Sequence, residues 1–249
     1  MGQDEVGSPP GTAVPRAVRA LWGEGTGNRR GPKPALSVRA IAEAAIAIAD
    51  TEGLGAASMS AVAKRLGFTT MSLYRHVDSK EDLQLAMVDV ALGPPPDLPP
   101  RHGWRRQLVA WARAEHARML AHPWVLEIRL GSPPLGPNST AWMELGLRTL
   151  ARTGLSWQQA ASALLLVDGY ARTQALLAVQ FADADGLRLW ADRMRTLVDA
   201  ERHPALGAAI AAGVFDDAPA ADGAQAFPSD EFDFGLGLVI DGIAELARA

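Results

Sequence analysis

The chain has 249 residues, of which 48% are apolar, so it is long enough for two domains and apolar enough to form a packed core. Its formal net charge is −4, and the absence of Cys is compatible with a reducing cytoplasm. No apolar run has the length of a membrane span and the first residues lack the apolar core of a signal peptide, so we expect a cytoplasmic protein with no membrane partner.

The first segment predicts a flexible N-terminal arm over residues 1–34, because it is rich in Gly and Pro and has few large apolar side chains. Basic side chains of this arm could reach DNA phosphates or a minor groove. They are Arg16, Arg19, Arg29, Arg30 and Lys33. A solvated tail without contacts is the alternative interpretation.

A long amphipathic helix is predicted next, with Ser37 as its N-cap. Its apolar positions recur at helical spacing and form one stripe, namely Ile41, Ala44, Ala45, Ile48 and Ala49. A turn containing Gly53 and Gly55 follows.

Residues 58–80 have the spacing of a helix-turn-helix. A first short helix is indicated by the apolar stripe of Met59, Val62, Ala63 and Leu66. Gly67 follows where this helix would end, and either Thr69 or Thr70 would cap a second helix. Such a pair of short helices is typical of the unit that places a recognition helix in the major groove of DNA.

The second helix of this pair has a polar outer face. Its inward residues are Met71 or Leu73 together with Val77, which leaves polar groups outside. These are Thr70, Ser72, Tyr74, Arg75 and His76. Residues 60–80 carry four basic groups and one acid, a local excess of three positive charges in an acidic chain. The pattern predicts a DNA-binding surface.

This region resembles the DNA-binding domain of the tetracycline-repressor (TetR) family of transcriptional regulators. The motif continues into LYRHVDSKEDLQLAMVDVAL, where Ser79 caps a further helix with Asp82 in the capping-box position. The C-terminal FDFGLGLVIDGIAELA is similar to the last helix of the family's effector domain. The resemblance implies an all-α fold, with a three-helix helix-turn-helix DNA-binding domain over 35–92 and a helical effector-binding and dimerisation domain over 93–249. A proline-rich run at 94–100 ends the last helix of the first domain.

The resemblance also implies roles for individual residues at the DNA. Bases or nearby phosphates would be contacted by Ser60, Thr70, Met71 and Ser72, and the phosphate backbone by Tyr74, His76 and Lys80. Arg75 lies at a position that varies in the family, so a base contact and a phosphate contact both stay open. Residues 58–80 contain no Asn or Gln that could make a bidentate contact with adenine, and the operator sequence is therefore not predicted.

Helices predicted in the second domain begin at Trp104, at Asn138 or Ser139, and at Ser156, with further amphipathic segments after residue 185 and a last helix after Pro228. Family members bind small molecules between such helices. The residues expected to line this effector site are Trp104, Trp111, His116, Trp124, Trp142, Met143, Leu147, Tyr170 and Gln174. Each could instead be a core residue, and Tyr170 or Gln174 could bond across a dimer interface. No cofactor and no metal are expected.

Dimerisation is expected through two helices, near 156–181 and 232–248, which in the family form a four-helix bundle with their symmetry mates. The predicted interface residues are Leu164, Val167, Ala171, Ala175 and Ala178 on the first helix, and Phe234, Leu238, Ile240, Ile243 and Leu246 on the second. A two-fold dimer would match a palindromic operator.

The chain is thus expected to be a ligand-responsive DNA-binding regulator, most often a repressor in this family, that a small-molecule effector releases from its operator. An enzyme is not expected, because the five His residues show no metal-ligand spacing and no nucleophile elbow is present. The alternative is a helical protein-interaction module without specific DNA binding.

Overall fold

The structure, a computed structural model, describes residues 14–23, 36–99, 101–129, 134–215 and 229–248. All regular elements in these ranges are helical, as the sequence predicts. The helices are α1 (Arg16–Leu21), α2 (Val38–Glu52), α3 (Met59–Leu66), α4 (Thr70–Leu73), α5 (Lys80–Leu92), α6 (Trp104–Ala121), α7 (Pro137–Leu150), α8 (Trp157–Gln180), α9 (Ala184–Leu197), α10 (Pro204–Ala211) and α11 (Ser229–Leu246).

The chain divides into two compact units. The first comprises Met1–Asp97 and Ala121–Arg148, and the second comprises Leu98–Leu120 and Thr149–Ala249. The boundary therefore places most of α7 with the N-terminal helices, whereas the sequence predicts one division near residue 92.

The core of the first unit is built on α2, which packs against α3 and α5. The predicted stripe of α2 is buried, and it meets Val62 of α3, Leu73 and Val77 around α4, and Leu83 of α5. Aliphatic side chains at helical spacing on α2 thus pack against α3, α4 and α5. Their burial fixes the short α4, which is too short to be stable alone.

Hydroxyl caps set the starts of these helices. Ser37 accepts a hydrogen bond from the Ala40 amide, as predicted, and Thr69 accepts one from Ser72. Thr69, rather than Thr70, is therefore the cap of α4. Gly67 ends α3 in the left-handed region, with φ 73°, which a side chain would oppose.

The predicted arm contains a helix. Residues Arg16–Leu21 form α1, which packs on α5 and α2 and buries Ala17 and Val18. Both carboxylate oxygens of Asp82 accept from the Ala17 amide at 3.2 Å, so the start of α1 is held by a side chain 65 residues away. This long-range acceptor is what local composition cannot reveal. Arg29, Arg30 and Lys33 lie outside the described residues.

A second buried carboxylate of α5 holds the start of α7. The Asp89 carboxylate accepts from the amides of Asn138 and Ser139, at 3.3 and 2.8 Å. The predicted caps of α7 are wrong, since the helix already begins at Pro137 and these two residues are donors in its first turn. Amides at a helix start attract negative charge, which explains why Asp89 is buried although no described residue forms an ion pair with it.

The second unit is formed by α6 and the helices from α8 onward. Ser156 and Gln159 form a reciprocal capping box that begins α8 where the sequence predicts it. α8 packs against α11, and α6 is joined to α11 by Arg105–Asp241 and Arg113–Asp233 ion pairs, both with N–O distances of 2.6 Å.

Candidate functional site

The helix-turn-helix consists of α3, the turn at Gly67 and the recognition segment, which we define as residues 70–77. Leu73 and Val77 are completely buried, whereas the Met71 side chain is 73% exposed. Leu73 is therefore the inward residue, and the open choice between Met71 and Leu73 is resolved. This anchoring turns the remaining side chains of the segment outward.

The eight residues predicted to contact DNA lie on one part of the first unit, and none is buried. Ser60, Met71, Tyr74, Arg75 and Lys80 are exposed, and Thr70, Ser72 and His76 are half-buried. Two of the hydroxyls are already engaged, because Ser60 pairs with Ser58 at 3.1 Å and Ser72 with Thr69 at 2.9 Å. A hydroxyl that pairs with a neighbouring hydroxyl keeps capacity for a second bond to a base or a phosphate.

The DNA-binding surface predicted at residues 60–80 gains a positive charge from another part of the chain. Its one acid, Asp78, forms an ion pair with Arg16 of α1 at 3.1 Å. The same guanidinium donates to the Arg75 carbonyl at 3.0 Å. In the sequence, Arg16 is predicted only as part of a flexible arm. The missed signal is the short apolar pattern of RAVRAL after a proline.

The residues predicted to line an effector site are distributed over both units. In the first unit, the buried Trp124 donates its indole N–H to Asp50 at 2.6 Å, and the buried Trp142 donates to the Gly93 carbonyl at 2.9 Å. Met143 is exposed and Leu147 is half-buried. Both indoles are thus tied to neighbours in their own unit.

In the second unit, the predicted effector residues include a small aromatic cluster. The His116 ring stacks on Phe232 with centroids 4.3 Å apart, and the Tyr170 hydroxyl donates to the Phe232 carbonyl at 2.9 Å. Burial lowers the pKa of His116, so the imidazole is neutral at pH 7, and burial raises the pKa of Tyr170. Gln174 bonds the Tyr170 hydroxyl from one turn further along α8.

The other two effector candidates of the second unit lie on α6. Trp111 is buried, and Trp104 is half-buried beneath the guanidinium of Arg105. Glu115, a buried acid on the same helix, is not predicted from the sequence. Its Oε2 atom is buried and has no hydrogen-bond partner among the residues that the structure describes, while Asp168 of α8 lies within hydrogen-bond reach of the carboxyl group. Desolvation, together with the charge of Asp168, raises the pKa of Glu115 well above its usual range.

An open groove of about 430 Å³ runs between α6 and α11. None of the nine predicted effector residues lines it. Its lining residues are Arg105, Arg106, Val109, Ala110, Arg113, Gly237, Ile240 and Asp241. The Arg105–Asp241 ion pair and the arginine of the Arg113–Asp233 pair are part of this lining, so the groove is mostly a surface feature of the packing of α6 on α11.

The predicted dimer interface is corrected on α8. Leu164, Val167, Ala171 and Ala175 are buried in the chain's own core, and Ile240 and Ile243 of α11 are buried as well. The exposed apolar side chains are Trp157, Leu165, Leu166, Leu176 and Val179 on α8, and Phe234, Leu238 and Leu246 on α11. α8 is apolar nearly all round, so periodicity alone did not show which stripe packs inside the chain.

Family models match both parts of the chain. The model of bacterial regulatory proteins of the tetR family matches residues 41–87, which contain the helix-turn-helix, and that of the tetracyclin repressor-like C-terminal domain matches residues 95–247. The chain belongs to the TetR family. It is therefore a DNA-binding transcriptional regulator of a family whose members act as dimers and respond to small molecules, and the alternative of a protein-interaction module is not supported.

Relatives agree with this assignment over almost the whole chain. The HTH-type transcriptional repressor DrrR1 of Streptomyces coeruleorubidus is 36% identical over 94% of this chain and 86% of its own length. The class A tetracycline repressor protein from transposon 1721 of Escherichia coli is 29% identical over 84% of this chain and 91% of its own length. The structure of ActR from Streptomyces coelicolor in complex with actinorhodin has a TM-score of 0.73 and 27% identity, and the match covers 86% of this chain and 97% of that chain. In the described parts of the chain, no helix is long and apolar enough to cross a membrane.

Proposed function

We propose that this TetR-family regulator is a homodimeric repressor that binds a palindromic operator through the recognition segment, Ser60 and Lys80, and that a small molecule releases it. The recognition segment carries the proposal, because its buried Leu73 and Val77 force six polar or flexible side chains outward on a locally basic surface.

Base reading is assigned to the side chains at the start of the motif helices. The exposed thioether of Met71 suits contact with a thymine methyl, and the hydroxyls of Thr70 and Ser72 suit several base edges. Ser60, at the start of α3, would contact a base or an adjacent phosphate. Arg75 is exposed and keeps both options.

Phosphate contacts are assigned to Tyr74, His76 and Lys80. Tyr74 is 43% exposed, so part of its side chain is accessible to DNA. Phosphate contacts position a protein on DNA without selecting a sequence, and each one adds to the salt dependence of binding.

Dimerisation is assigned to the exposed apolar face of α8 and α11, which is defined by Leu165, Leu166 and Leu176 together with Phe234 and Leu238. Five large apolar side chains on two packed helices are more than a solvated surface requires. Pairing of this face with a symmetry mate would double the DNA contacts of an acidic chain.

Effector contacts are assigned to the nine candidates named from the sequence, four of which lie in the first unit and five in the second. In the second unit, His116, Tyr170 and Gln174 form a connected group around Phe232. The complex of ActR with actinorhodin supports the proposal that the effector is a small molecule. Within the first unit, α5 links α7 to the recognition segment, because Asp89 holds the start of α7 and Asp82 accepts from the Asp78 amide at 2.9 Å. A ligand that displaces α7 would move α5, and with it the DNA surface.

We expect the protein to act without catalysis. We also expect it in the cytoplasm, where its operator would lie. The repressor relative, DrrR1, supports repression rather than activation. The ligand must bind the DNA-incompetent state more tightly, by a coupling free energy of about 1–3 kcal/mol.

An unbiased selection of duplexes with the purified protein tests the proposal. We expect a palindromic motif, bound with steep salt dependence, and a set of compounds that lower its affinity. Tyr74→Phe and Lys80→Ala should weaken binding to all duplexes alike, whereas Arg118→Ala, which removes an exposed charge of α6, should not. Indifference to every duplex at low salt would contradict the proposal, and a loss confined to one base position would contradict the phosphate assignment.

A further inference from the structure

Helix α1 is attached to the DNA-binding surface through one buried carboxylate. Asp82 accepts from the Ala17 amide of α1 and from the Asp78 amide, which directly follows the recognition segment. Ala17 and Val18 are buried at this junction, so α1 is docked by packing as well as by hydrogen bonds. The direction of the preceding side chain, Arg16, is fixed by this attachment.

Arg16 makes two contacts at the end of the recognition segment. Its Nε lies 3.1 Å from the Asp78 carboxylate, and its NH1 donates to the Arg75 carbonyl at 3.0 Å. The side chains of Arg16 and Asp78 are 48% and 57% exposed, so both remain accessible to a charged partner. An exposed pair contributes little to folding, which suggests that its value lies in what approaches this surface.

The position of Asp78 makes its charge important for DNA. It lies in sequence between His76 and Lys80, two of the three residues assigned to phosphate contacts. A carboxylate there repels phosphate unless a cation neutralises it. We propose that Arg16 is a positioning residue for operator binding, which neutralises Asp78 and holds the end of the recognition segment through the Arg75 carbonyl.

This inference rests on the proposed phosphate contacts, and it differs from the idea that basic residues before α2 bind DNA themselves. Two of the three guanidinium nitrogens of Arg16 are already engaged inside the protein. An arginine that contacts phosphate directly would act whatever the residue at position 78, whereas an arginine that neutralises Asp78 loses most of its effect when the carboxylate is removed. A double-mutant cycle separates these two cases.

The experiment measures binding of the full chain to a fluorescein-labelled duplex chosen by selection with the wild-type protein. Arg16→Ala should weaken binding about three- to tenfold, the range expected for one neutralising contact and one hydrogen bond. In the Asp78→Asn background, the same substitution should change affinity by about twofold or less, because only the exposed hydrogen bond to the Arg75 carbonyl is then lost. Arg19→Ala removes an equal charge from α1, and its effect should be the same in both backgrounds.

Each outcome decides the inference. An undiminished effect of Arg16→Ala in the Asp78→Asn background, with the salt slope lowered by about 0.9, would identify a direct phosphate contact and overturn it. An unchanged affinity of Arg16→Ala would also overturn it. Failure of the wild type to bind any selected duplex would overturn the proposed function as well. If Arg16→Ala lowers the melting temperature, recovery of affinity by Asp78→Asn still distinguishes neutralisation from loss of fold.

Discussion

Substitution of Glu115 by Gln should stabilise the protein increasingly as the pH rises. Glu115 is 6% exposed, and one of its carboxylate oxygens has no hydrogen-bond partner within the described part of the chain. Its pKa is raised by desolvation first and by Asp168 second, with Arg172 opposing. The folded state therefore binds this proton more tightly than the unfolded state, in which the pKa is near 4.5.

The sign follows from proton linkage. The stabilisation from Glu115 is fully present below the unfolded pKa and is lost as the pH rises through the folded pKa, at about 1.4 kcal/mol per pH unit within that interval. Glu115→Gln is neutral at every pH and keeps a donor for Asp168. An ionised carboxylate that is buried without a full set of partners costs about 1–3 kcal/mol, so the variant should exceed wild type by about that amount at pH 8.5.

Urea unfolding at pH 5 and pH 8.5, at one protein concentration, measures this difference in the free energy of unfolding. Glu144→Gln, an exposed acid of α7, is the control and should show no gain that grows with pH. The reasoning is refuted if Glu115→Gln is less stable than wild type at pH 8.5, because Glu115 would then be ionised and fully paired.

Three further predictions concern packing and assembly. A methyl group at Gly235 would overlap the Tyr170 hydroxyl, so Gly235→Ala should lower the melting temperature. Gly237→Ala, with open space around it, should instead raise the free energy of unfolding by about 0.5–1 kcal/mol. Equal effects of the two substitutions in thermal unfolding would contradict the close approach at Gly235. Leu238→Glu, on the exposed apolar face of α11, should yield monomers in sedimentation velocity. The control Leu135→Glu, at an exposed leucine of the first unit, should leave the dimer intact. A Leu238→Glu protein that remains dimeric would exclude this interface. Asp89→Asn should lower the free energy of unfolding by about 1–3 kcal/mol, since the start of α7 loses a charged acceptor, and calorimetry showing no loss would contradict that role.

Two acids of α5 show how long-range contacts change the meaning of a sequence. Asp82 lies at the third position of its helix, where a capping-box acid would bond the amide of its own N-cap. It instead accepts from Ala17 and from Asp78, and Asp89, two turns later on the same face, accepts from the start of α7. Each buried carboxylate is stabilised by amide donors of another element, which requires no cation.

The sequence by itself determined the helices of the DNA-binding domain and most of their ends. Hydroxyl caps at Ser37 and Ser79, the stripe of α2 and the glycine after α3 are local signals, because capping and helical periodicity act within a few residues. The same local pattern located the candidate DNA surface, since the motif spans little more than twenty residues.

Only the tertiary structure decided which of several apolar faces is buried and which distant groups meet. Leu73 is buried and Met71 is exposed, and the exposed face of α8 contains Leu165 and Leu166. Arg16 forms an ion pair with Asp78, which is more than sixty residues away in the sequence. These outcomes depend on how whole helices pack and on which distant groups satisfy the hydrogen bonds of buried polar atoms. Neither is encoded in the spacing of neighbouring residues.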